Sequence, residues 1–103
     1  MKEKEYNLLG LKIKVMYVDK ALIDGDWVFG TIEYIGDTNL ISISTKDRNG
    51  KPISKESMRR TLRHELFHAI LCKGQYHNSS NDEPLVEWLA LCTDLLYEQG
   101  LKI

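Results

Sequence analysis

Thr61-Leu62-Arg63-His64-Glu65-Leu66-Phe67-His68-Ala69-Ile70 is the stretch from which the rest of the chain is read, because it contains His-Glu-x-x-His. On a helix, positions i and i+4 stack on one face, so His64 and His68 can aim ring nitrogens at one ion. Glu65 lies about 100° further round the axis and flanks that ion without crowding it. Two nitrogen ligands, an open position for water and a carboxylate to take its proton are what a hydrolytic zinc site needs. Leu62, Leu66, Phe67, Ala69, Ile70 and Leu71 are apolar, so the helix reads as largely buried. Buried imidazoles and a buried carboxylate need partners, since unpaired polar groups in a core are costly.

Working outward, Ser54 is a fitting N-cap for this helix, which should run to about Cys72 or Lys73, with Gly74 at the position that ends it. Upstream, Leu11, Ile13 and Val15 alternate with Lys12, Lys14 and Met16 in the period of a half-buried strand over Gly10 to Val18. Asp24-Gly25-Asp26 signals a turn, and Trp27 to Ile35 is rich in aromatic and β-branched residues, so it reads as a second strand. After Gly36-Asp37-Thr38-Asn39, Leu40 to Thr45 forms a third, with Ile41 and Ile43 on one face and Ser42 and Ser44 on the other. Lys46 to Pro52 is a polar surface loop. Downstream, Asn81 or Asp82 caps a second helix with Pro84 in its first turn and an apolar stripe of Leu85, Leu89, Cys92 and Leu96, ending before Gly100. The expected fold class is α+β: a small three-stranded antiparallel or mixed sheet followed by two helices, in one domain over 1–103.

Composition narrows the function. Of 103 residues, 43% are hydrophobic and 28% charged, and the net charge is −1, so nothing electrostatic favours nucleic acid or an anionic membrane as partner. Met1-Lys2-Glu3-Lys4-Glu5-Tyr6 carries both signs of charge and leads into no long apolar run, so no signal peptide is expected there. Cys72 and Cys92 fall inside helical patterns, which fits a reduced, cytoplasmic chain with both thiols packed as small hydrophobes.

A catalytic zinc takes three protein ligands. After His68 the available donors are His77, Asp82, Glu83 and Glu87, with Cys72 on the His68 face set below the carboxylates. The longer His-Glu-x-x-His-x-x-Gly-x-x-His pattern fails, because Leu71 stands at its glycine and Gly74 at its third histidine. Glu83 and Glu87 share a helix face, so one can ligate while the other braces a histidine.

With Thr61 to Ile70 and Glu83-Pro84-Leu85-Val86-Glu87-Trp88-Leu89-Ala90 in view, the chain resembles the gluzincins, zinc metallopeptidases whose ligands are two histidines and a glutamate. Among them it looks most like the small phage and bacterial forms with an ImmA/IrrE-like, minimal zincin core. The resemblance covers the second half well and the strands in outline. It implies zinc held by His64, His68 and Glu83, with Glu87 behind a histidine and Glu65 as general base. The interval from His68 to Glu83 is short for a gluzincin, which keeps Glu87 as an alternative ligand. It also implies a peptide or protein substrate, lying as an added strand along an edge near Leu40 to Ser44. An oxyanion donor would come from Tyr76 or His77, with Tyr97 a weaker candidate. The competing expectation is a zinc-stabilised module of phage or mobile-element origin that binds a peptide or protein without cutting it.

Overall fold

The computed structural model of the chain describes residues 3–8, 10–74 and 77–100. Two compact units, Met1–Leu62 and Arg63–Ile103, meet inside one helix. The class is α+β, with more strands than three. The first unit holds β1 (Glu3–Leu8), β2 (Leu11–Val18), β3 (Ala21–Ile23), β4 (Asp26–Val28), β5 (Gly30–Ile35) and β6 (Thr38–Ser44). They form a four-stranded sheet in the order β1-β2-β6-β5 and a separate β3-β4 hairpin.

The sheet is mixed: β2 and β6 run parallel at its centre, and β1 and β5 flank them antiparallel. Ile13, Val15, Ile41 and Ile43 stand on one face of the central pair and are all but inaccessible, as their alternation requires. The strand expected at Leu40 to Thr45 is therefore interior, paired on both sides, and offers no edge to a peptide. Its backbone N–H and C=O groups are already used by β2 and β5.

The stretch read as one strand from Trp27 to Ile35 is broken at Phe29. Its first part folds back on β3 through Asp24 and Gly25, both at positive φ, the conformation a type I′ hairpin demands and Asp-Gly supplies. Ser44, on the strand face opposite Ile41 and Ile43, is buried because this hairpin covers it. Its hydroxyl accepts from Ala21 N–H at 2.8 Å and donates to Val28 C=O at 2.6 Å, fastening both hairpin strands to β6. Gly30 follows the break: a Cβ there would meet Thr61 Cγ2 at 2.6 Å, so the missing side chain lets the first half of the next helix approach the sheet.

That helix, α1 (Lys55–Lys73), starts where its cap requires. Ser54 Oγ accepts from Ser57 N–H at 3.1 Å. It is less buried than its apolar residues suggest: Glu65 and Ala69 are its buried positions and Ile70 is exposed. The second unit adds a single-turn α2 (His77–Ser80), not expected from the sequence, and α3 (Glu83–Glu98). Asp82 caps α3 by accepting from Leu85 N–H at 3.1 Å, Pro84 occupies the first turn, and Gly100 at φ 85° follows its end. The buried stripe of α3 is Val86, Ala90 and Asp94; Leu96 of the expected stripe is exposed. No helix among the described residues is long and apolar enough to cross a membrane.

Candidate metal centre

All described site residues lie in the second unit, on α1 and α3. His64 and His68, one turn apart on α1, face each other with ring centroids 4.9 Å apart and Nε2 atoms 3.2 Å apart. Glu83, the first residue of α3, closes the gap: its carboxylate oxygens lie 3.0 Å from His64 Nε2 and 2.9 Å from His68 Nε2. Donor atoms of His64, His68 and Glu83 all fall within 4.8 Å of one another, so the three residues form a group that could hold a metal ion.

A fourth residue joins them: Glu87 Oε2 lies 2.8 Å from His64 Nδ1. A carboxylate only accepts, so with a metal ion on Nε2 the ring's proton would sit on Nδ1, facing Glu87. Ligands on a tetrahedral zinc with bonds of about 2.0–2.1 Å stand about 3.3–3.4 Å apart. The observed separations of 2.9–3.2 Å lie close to that spacing, so the three residues could hold such an ion.

Glu65 is buried beside this group. Burial pushes its carboxyl above the ordinary range; the neighbouring imidazoles of His68 and His64 pull it back, and the Glu83 carboxylate adds to the rise. The histidine rings are mostly covered, whereas Glu83 and Glu87 are more than half exposed, so the group opens to solvent on the α3 side.

Of the two glutamates, Glu83 reaches both Nε2 atoms and belongs to the group that could hold a metal ion, whereas Glu87 lies against His64 Nδ1. Asp82 is engaged as the α3 cap, and Cys72 lies outside the group. Tyr76 lies outside the described residues. His77 opens α2 in the backbone, and its side chain is likewise outside them. Tyr97 stacks near Arg63, whose guanidinium carbon lies 5.1 Å from the ring centroid. The sequence reading overlooked the buried ion pair of Arg63 with Asp94. The available signal was a lone acid inside the apolar run Leu89 to Leu96, in step with Glu83, Glu87 and Ala90 on one helix face.

No protein-family model, curated protein or solved structure matches the chain.

Proposed function

We propose that the protein is a zinc-dependent metallo-endopeptidase of gluzincin type, with His64, His68 and Glu83 as ligands and Glu65 as general base. The observation that carries this reading is the convergence of His64 Nε2, His68 Nε2 and the Glu83 carboxylate beside a buried carboxylate. A zinc ion held there would polarise a scissile carbonyl and acidify a water. Glu65 would serve as the base that takes a proton from the attacking water and returns it to the departing amine. Its raised pKa suits the task, because a base poised nearer neutrality also returns the proton readily. Glu87 keeps His64 in the tautomer that presents Nε2.

Glu65→Gln tests this directly. The variant should bind zinc as the parent does and lose peptide cleavage by at least about 100-fold, the scale expected for general-base catalysis. His64→Ala should lose the metal. Equal cleavage by parent and Glu65→Gln ends the proposal.

One observation favours the second reading, a zinc-stabilised binding module. In the second unit the buried apolar residues are small, Ala69, Val86 and Ala90, and so slight a core gains from a metal. A structural site would be closed by a fourth protein ligand, for which Cys72 and His77 are the nearest candidates in sequence. Loss of zinc from Cys72→Ser would select that reading.

A further inference from the structure

We propose that Arg63 and Asp94 are a positioning pair that sets the register of α3 against α1 and so carries Glu83 and Glu87 over the imidazoles. The inference rests on the metal-centre reading for its functional consequence, though not for its geometry.

Neither glutamate is held by packing. Glu83 stands in the first turn of α3 and Glu87 one turn later, with side chains 65% and 54% exposed. Their reach to His64 and His68 must come from where the helix itself is placed. Glu83, Glu87, Ala90 and Asp94 fall at i, i+4, i+7 and i+11, a single stripe. His68 and His64 meet the start of this stripe and Arg63 meets its end, so the two helices run antiparallel. Along the stripe Ala90 presents a methyl group, and Val86 is the other buried apolar residue of α3. Apolar contacts of that size are non-directional and tolerate sliding.

Asp94 does not tolerate it. It is 4% exposed and meets the Arg63 guanidinium in a charge-assisted hydrogen bond. Tyr97, three residues on, holds the same guanidinium from its ring side. Shifting α3 by one residue moves it about 1.5 Å along its axis and about 100° around it. That shift would separate the buried Asp94 carboxylate from the Arg63 guanidinium, a loss that a methyl contact cannot offset. The same shift would lift Glu83 off both Nε2 atoms. Arg63 immediately precedes His64, so the register device and the first ligand share one turn of α1.

The test replaces the pair by apolar residues of similar size, Arg63→Met with Asp94→Leu, a change that commonly leaves stability unharmed. Asp94→Asn alone, which strands the guanidinium, is the second variant, and Arg63→Lys the conservative one. Cobalt(II) is the probe. The apolar pair should fold with parental helix content, bind cobalt about 10–100-fold more weakly and show an altered visible spectrum, as for other partners that orient metal ligands. Asp94→Asn should lose affinity too, and Arg63→Lys should retain part of it. In metal-free protein, NMR cross-peaks from the His64 ring to the Glu87 side chain should vanish in the apolar pair and persist in the parent. A folded apolar-pair variant that keeps those cross-peaks and the parental cobalt affinity overturns the proposal. Failure of the parent to bind cobalt overturns the metal-centre reading instead, and the cross-peaks still decide the register.

Discussion

Glu87→Ala separates a ligand from the residue that orients one. Glu87 touches His64 at Nδ1 over 2.8 Å and makes no contact with the Nε2 cluster among the described contacts, whereas Glu83 stands 2.9–3.0 Å from both Nε2 atoms. Removing Glu87 leaves three donors in place and frees the His64 ring to take the other tautomer and to turn about its own axis. Losses of this kind weaken metal binding by about 10–100-fold, which is about 1.4–2.8 kcal/mol at 1.4 kcal/mol per decade. Removing Glu83 deletes a ligand and should cost considerably more. Because both side chains are more than half exposed, neither variant should disturb folding of the metal-free protein. The assay is competition for zinc against a chromophoric chelator of known affinity, with parent, Glu83→Ala and Glu87→Ala side by side. A Glu87→Ala variant as weak as Glu83→Ala, or weaker, would reverse the assigned roles.

Three further outcomes follow from other features of the structure. Metal-free Glu65→Gln should melt higher than the parent at neutral pH: a folded-state pKa raised by burial means the parent's stability is fullest at acid pH and falls as pH rises through that value. The gap between the two thermal midpoints should close on acidification, and a gap that widens there contradicts the assignment. Ser44→Ala should leave Ala21 N–H and Val28 C=O without their partner, at about 1–3 kcal/mol for each group, read from urea unfolding; a loss below about 0.5 kcal/mol would show that the hairpin does not depend on this hydroxyl. Gly30→Ala should destabilise by about 1–3 kcal/mol through its clash with Thr61 Cγ2, and adding Thr61→Ser should restore part of that loss.

The helical half of the chain was legible because its signals are local. Ser54 and Asp82 announce helix starts, and the spacing of His64 and His68 fixes their common face without tertiary information. The sheet was legible only in part. β1 carries Glu3, Lys4 and Glu5 on an exposed edge, where charge is no obstacle to pairing and composition alone reads as an unstructured terminus. The parallel pairing of β2 with β6 depends on where β3, β4 and β5 go, which no local pattern states. Ser44 and Asp94 carry no local mark of burial, because each is buried against a partner distant in sequence. Helix periodicity put Glu83 and Glu87 on one face, and the family resemblance favoured Glu83; which of them reaches both Nε2 atoms is visible only in the distances.

X-ray absorption at the zinc edge of the zinc-loaded protein bears most directly on the account. It predicts two imidazole nitrogens and one carboxylate oxygen at about 2.0–2.2 Å, with a further light-atom ligand from solvent. In whatever zinc the ligand-deleted variants still take up at high loading, the imidazole signal should halve in His68→Ala, and the carboxylate signal should be absent in Glu83→Ala. A sulfur ligand in the first shell, or a spectrum unchanged by either substitution, would contradict it.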